Sequence, residues 1–286
     1  MVSLKKQCLS EFLCATLVGF LGLGCLVPKN MGIMDLFQFS LLFGLAIAFI
    51  VVIFNPVSGA SFNPGVTLAM VLTKRQDKKT LLPYWGAHLA GWFCGAMMVY
   101  GVFYKQIAGM IADKTLTEVG AVGLLYCHAT NVAAAIPLEF ILTGLMVVII
   151  LACNDQRIIN KPGKALFPLV LALYITFAVT MAGAYSGAAL NAARDLGPRL
   201  FALIWGAAHG YDISHVFEWN TLIYVFVPAI GAVCGAFFYD GFIGWLLPPL
   251  KAEIPVAPKA IINENYIKKG DAFKHHNKLN KKRIKK

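Results

Sequence analysis

The chain of 286 residues is poor in charge: 14% of its residues are Asp, Glu, Lys or Arg, against roughly 25% in a soluble domain, while 58% are hydrophobic. With a mean hydropathy of +0.69, this argues against an ordinary soluble enzyme. Acids are scarcest, 14 against 25 Lys and Arg, which leaves a formal charge of +11. A basic surplus can serve nucleic acid, anionic lipid or membrane topology, and its location decides. Residues 251–286 hold eleven Lys and Arg against Glu253, Glu264 and Asp271, so the rest of the chain carries only +3 and no nucleic-acid partner is expected. A cysteine framework is also missing. Seven is an odd count, and Cys8, Cys14, Cys25, Cys94, Cys153 and Cys234 lie in or beside apolar segments, with only Cys127 in a long connection. Neither a disulfide scaffold nor a zinc site follows. His275-His276 has no further ligands nearby, so no cofactor is expected. Lys5-Lys6 before an apolar run ending Gly22-Leu23-Gly24-Cys25 imitates a lipoprotein signal, but Glu11 interrupts that run, so cleavage is not expected.

Apolar runs are what the chain has in abundance. Six stretches, about 8–27, 35–54, 82–104, 133–153, 165–182 and 222–246, approach the roughly 20 residues that cross a bilayer as a helix. The expected fold class is therefore an all-α polytopic membrane protein. If both termini are cytoplasmic, the tails, Lys74, Arg75, Lys78 and Lys79, and Arg157, Lys161 and Lys164 place 20 of the 25 basic residues on that side. The positive-inside rule favours this orientation in the cell membrane. The domain plan that follows is a membrane domain over 1–250, with halves of about 1–127 and 128–250, and a disordered basic tail over 251–286 lying near anionic lipid.

Residues 57–73 and 183–203 are too apolar for exposed loops and too short to span. Each has small residues and an Asn able to cap a helix, followed by about ten helix-compatible residues, roughly 15 Å or half the hydrocarbon thickness. Non-helical backbone at that depth is tolerated only where protein buries it or it lines a wet cavity, so both read as re-entrant half-helices. The chain also matches itself. Ser58-Gly59-Ala60-Ser61-Phe62-Asn63 lies 128 residues before Ser186-Gly187-Ala188-Ala189-Leu190-Asn191, and Glu11-Phe12 lies 128 before Glu139-Phe140. After a slip of 12, Gly91 to Ala96 matches Gly231 to Ala236. Each half thus has three spans and one half-helix. Three is odd, so the second half enters from the opposite side and the half-helices meet near the midplane. Small residues at Gly91/Gly95 and Gly231/Gly235 let helices pack closely.

Two half-helix N-termini aimed at one place put partial positive charge in mid-bilayer and repel cations. Asn63 and Asn191 either simply cap their helices or also offer NH2 donors to a passing hydroxyl or water, which favours neutral polar solutes. These residues resemble the major intrinsic protein family, the aquaporins and glycerol facilitators, over about 1–246. The motifs are Asn63-Pro64-Gly65 and Asn191-Ala192-Ala193-Arg194-Asp195, where the family usually has Asn-Pro-Ala twice. Pro suits the first helical turn, so Ala192 forfeits preorganisation, and Gly65 adds backbone freedom. The half-helices should fit together more loosely.

The resemblance implies an aquaporin-like fold of six transmembrane helices plus two re-entrant half-helices in an inverted repeat, a homotetramer, and a filter of Phe43, Val179, Ala188 and Arg194. Arg194 would donate hydrogen bonds and repel cations; an ion pair with Asp195 is the alternative. Ordinary helix packing is the alternative for the other three. Glu11 and Glu139 have no evident His or Ser arrangement beside them for acid-base chemistry; the resemblance gives them backbone N–H groups to accept from. Val179 and the small Ala188 imply a constriction wider than a water-only filter. Asp195, Arg199, Pro228-Ala229 and the stretch from Arg199 to Asn220 resemble glycerol channels, whereas Phe43, Val179 and Ala188 replace their usual Trp, Gly and Phe. The implied function is passive passage of glycerol, other small uncharged solutes and water. A mainly water-conducting channel and an ion-coupled transporter remain alternatives. No enzyme constellation stands out.

Overall fold

The structure is a computed structural model that describes residues 2–158 and 163–248. The expected tail over 251–286 and Lys161 lie outside those residues. Ten α-helices organise the described residues: α1 (Leu4–Asn30), α2 (Leu36–Ser58), α3 (Pro64–Leu72), α4 (Leu81–Val102), α5 (Tyr104–Ala112), α6 (Glu118–Val122), α7 (Val132–Asn154), α8 (Gly163–Ser186), α9 (Ala192–His209) and α10 (Thr221–Leu246). Five of them, α1, α2, α7, α8 and α10, are long and apolar enough to cross a membrane. A sixth crossing is reached if Lys78–Val102 and Tyr104–Ala112, bent by 65° at their break, count as one span. The protein is an all-α, multi-pass membrane protein.

Helix ends follow local chemistry. Asp35 and Gln38 form a reciprocal capping box at the start of α2, satisfying orphan N–H groups. At its other end α2 runs through Pro56 to Gly59, whose φ of 94° stops it, so it ends later than the apolar run suggests. The third expected span, about 82–104, ends where α4 does; the helix that continues beyond the bend, α5, was not expected.

Packing repeats between the halves. In the first, α1 lies against α2 and α4; in the second, α7 lies against α8 and α10. A Cβ at Gly95 would come within 2.8 Å of the Thr16 carbonyl oxygen, and one at Gly235 would run into the Gly144 backbone. Close helix approach therefore depends on the absence of a side chain at both sites. Across the halves, α2 packs on α8, α3 on α10 and α9 on α4, so each short helix leans on the third long helix of the other half. The buried core lies between these layers, while outward side chains such as Phe49, Val52, Leu173, Phe177, Leu222 and Ile230 are exposed. Only a lipid or protein environment covers such a surface without cost.

Candidate functional site

The N-termini of α3 and α9 meet at the centre of this arrangement. Asn63 and Asn191 are extended, with φ of −138° and −162°, and cap the two helices: Asn63 Oδ1 accepts from the Gly65 N–H at 2.9 Å, and Asn191 Oδ1 accepts from the Ala193 and Arg194 N–H groups at 3.0 and 3.3 Å. Their amides then cross over. Asn63 Nδ2 donates to the Leu190 carbonyl at 2.8 Å, and Asn191 Nδ2 donates to the Phe62 carbonyl at 2.9 Å. An amide nitrogen carries two N–H groups, so one from each Asn is left for a solute rather than the whole NH2. Gly65 stands in the first turn of α3. A Cβ there would lie 3.1 Å from Ala229 Cα, so the missing methyl permits a close approach of α3 to α10.

The backbone entering each helix is bent into the left-handed region at Ala60, Phe62, Ala188 and Leu190, none of them glycine. Such conformations persist only where the surroundings hold them. Glu11 accepts from the N–H groups of Ser61 (3.2 Å) and Phe62 (2.7 Å), and Glu139 from those of Ala189 (2.9 Å) and Leu190 (2.7 Å). The expectation that no His or Ser lies beside them needs correction: His88 Nε2 is 2.8 Å from Glu11, Ser61 Oγ donates to it, and Ser186 Oγ donates to Glu139 at 2.7 Å. Ser186 was legible as a member of the repeated run. His88 lies outside it, and a lone His in an apolar stretch of α4 was the only signal. Trp92 Nε1, also on α4, donates to the Phe62 carbonyl at 3.0 Å.

Arg194 is 5% exposed and donates from one terminal nitrogen to the Leu125 carbonyl at 2.8 Å; its Nε has no partner. Asp195 does not pair with it. Neighbouring residues on a helix point in different directions, and Asp195 is bound instead by Arg199 Nε at 2.6 Å and by the Cys127 N–H at 2.7 Å. Arg199 also donates to the carbonyls of Val216 and Cys127. This buried pair fastens the connections before α7 and α10 onto α9.

Two cavities approach the junction from opposite ends of the long helices. One, of about 360 Å³, is bordered by Asn55, Ser61, Phe62, Asn63, Arg75 and Asn154. The other, of about 300 Å³, is bordered by Lys29, Phe39, Tyr126, His128, Val179 and Arg194. Of the four filter candidates, Val179 and Arg194 reach the second cavity. Phe43 and Ala188 are buried and do not border it, although Phe39, one turn before Phe43, does. Burial pushes the His128 imidazole below its ordinary range. Among the described residues no group of three or more His, Cys, Asp or Glu could hold a metal.

Comparison with known proteins agrees with this geometry. The sequence model of the major intrinsic protein family matches residues 1–239. The glycerol uptake facilitator protein of Escherichia coli (strain K12) is 33% identical over 261 residues, covering 86% of this chain and 91% of that protein. The propanediol uptake facilitator PduF of Salmonella typhimurium (strain LT2) is 30% identical over 269 residues, covering 88% and 99%. The X-ray structure of the aquaglyceroporin from Plasmodium falciparum superimposes with a TM-score of 0.73 at 27% identity, covering 85% of this chain and 98% of that one. The chain belongs to the major intrinsic protein family, a family of channels and facilitators rather than enzymes.

Proposed function

We propose that this protein is a passive pore for glycerol, similar small uncharged solutes and water. The reciprocal bond between Asn63 and Leu190 and between Asn191 and Phe62 carries the reading, because it joins two helix N-termini on the line between two cavities. In this reading α1, α2, α4, α7, α8 and α10 cross the membrane, and α3 and α9 are re-entrant half-helices of an inverted repeat. Both termini are cytoplasmic, which puts Arg75 and Asn154 at the inner mouth and Lys29 and Arg194 at the outer one.

The positive ends of the two helices and the Arg194 guanidinium raise the energy of any cation in the passage. A hydroxyl meets the free N–H of each Asn and the donors of Arg194. Phe39 and Val179 supply apolar wall at the outer cavity, and Phe43 and the small Ala188 are assigned to the passage between that cavity and the Asn pair. The relatives named for glycerol and propanediol uptake support a polyol over water alone. Four copies in the membrane, one pore each, are the proposed assembly, with lipid as the remaining neighbour and no cofactor.

Light scattering of protein-loaded liposomes under glycerol and sucrose gradients tests the reading. Glycerol entry well above that of empty vesicles is expected. Fast osmotic water flow without glycerol entry would instead support a water channel, and flux that depends on a proton or sodium gradient would support a coupled transporter. Mass measurement of the detergent-solubilised protein tests the tetramer; a monodisperse monomer contradicts it.

A further inference from the structure

The two carboxylates behind the junction differ in their partners. Glu139 takes three donors, Ser186 Oγ and the N–H groups of Ala189 and Leu190, none of which gains or loses a proton near neutrality. Glu11 takes four: the Ser61 and Phe62 N–H groups, Ser61 Oγ at 3.1 Å and His88 Nε2 at 2.8 Å. The offset that aligns Gly91 with Gly231 places Pro228 opposite His88, so the second half has no equivalent imidazole. Glu11 and His88 are both 0% exposed, and His88 Nδ1 has no hydrogen-bond partner. Orphaned buried N–H groups are the rarer and costlier case, so the ring is neutral with its proton on Nε2, donated to Glu11. Four donors then fill the four lone-pair positions of an ionised carboxylate.

We infer that His88 is a positioning residue of the pore, and that one proton added to the Glu11–His88 pair disturbs the Asn63–Asn191 junction and lowers flux. On Nδ1 the proton becomes a buried donor without an acceptor; on Glu11 it removes the acceptor from one of the four donors. Either outcome releases the segment Ser61-Phe62, whose left-handed Phe62 persists only while it is held. The Phe62 carbonyl is the acceptor for Asn191 Nδ2, so the displacement passes directly from the first half to the Asn of the second. Ser61 and Asn63 border the inner cavity, which gives protons a route from that side. The other titratable groups near the pair are Cys8 and Cys14 on α1 and Tyr84 on α4, whose ring is 5.9 Å from that of His88. Ser58 at the end of α2 and Thr67 on α3 present hydroxyls only.

Glycerol flux into liposomes between about pH 8 and pH 5, for the unaltered protein, His88→Gln and His88→Leu, tests this. The unaltered protein should lose roughly threefold or more in acid. Gln replaces the Nε2 donor with an amide N–H and takes up no proton, so His88→Gln should keep at least about half the neutral flux and lose the acid decline. His88→Leu should be slow at every pH. If His88→Leu does not fold, the Gln profile decides alone. An acid decline in His88→Gln parallel to that of the unaltered protein overturns the inference. The role of His88 rests on the pore reading, and the two fail differently. No flux above empty vesicles at any pH overturns both, whereas flux that is substantial and flat across pH overturns the role of His88 alone.

Discussion

Arg199 is 2% exposed, and each nitrogen of its guanidinium is engaged: Nε on Asp195, the terminal nitrogens on two carbonyls, with Cζ 4.2 Å from the Tyr126 ring centre. Removing it strands the Asp195 carboxylate, itself 0% exposed, with only the Cys127 N–H for company. Breaking such a pair from one side costs about 3–5 kcal/mol, more than either charge contributes when paired. Arg199→Met should therefore lower the thermal midpoint in detergent sharply, and adding Asp195→Asn should recover part of the loss; a single variant as stable as the parent would contradict this. Glu139 presents the same logic with neutral partners. Glu139→Leu leaves the Ala189 and Leu190 N–H groups unsatisfied at about 1–3 kcal/mol each, whereas Glu139→Gln keeps an acceptor and should lose less, in the same melting experiment. Residue pairing was only partly legible in the sequence. The carboxylates stood out as charges in apolar runs, and the repeat tied each to its half-helix. Ser61 and Ser186 registered only as members of the repeated run and His88 not at all, because a contact made with another segment leaves no mark in local spacing.

Long apolar elements were readable because each must bury one face and show the other to lipid, a demand written along twenty residues at a time. Their ends were less readable, since caps, a π turn in α1 and the bend before α5 depend on a few atoms. The second half-helix shows the limit. About ten helical residues were expected after Asn191, yet α9 runs for 18, through and beyond Gly197-Pro198. The reason is tertiary: a Cβ at Gly197 would lie 2.6 Å from Trp92 Cβ, so α9 is pressed against α4 at that point and packing carries it past the proline. At its start, Ala192 occupies the first helical position, where proline is preorganised and loses no hydrogen bond. Asn191 before it is at φ −162°, ψ 112°, the extended region that a following proline favours. A cavity of about 670 Å³ beside Ala192 leaves room for the ring. Ala192→Pro should therefore stabilise by about 0.4–1 kcal/mol through the unfolded chain, seen as a raised thermal midpoint. A fall would mean that the Ala192 N–H has a partner.

At the scale of the whole molecule, segments distant in sequence are tied together at the end that carries the basic connections. Arg75, just beyond α3, binds Asp240 on α10 through two bonds of 2.8 and 2.5 Å. Asp155, just beyond α7, binds Arg157 at 2.7 Å and accepts from Tyr239 Oη at 2.8 Å. The π turn Tyr239–Ile243 lets neighbours Tyr239 and Asp240 serve these two different partners. None of this was readable from the sequence, where the same arginines registered only as a count that sets sidedness. The ties have a pH signature. Hydrogen bonds from Arg157 hold the Asp155 carboxyl at about 2, below its ordinary value of 3.8. A carboxyl depressed by folding contributes stability that is complete above its unfolded value and is lost as pH falls through its folded one. The contribution of Asp155 should be whole above about pH 4 and fade toward pH 2. Asp155→Asn, which keeps the shape and removes the charge, should melt below the parent in detergent at pH 7, and the gap should close as the pH is taken from about 4 downward. Other carboxyls titrate over the same range in both proteins, so the readout is the difference between the two curves. A gap that stays constant into acid would mean that Asp155 acts through its shape and its bond to Tyr239, and that its charge ties nothing down.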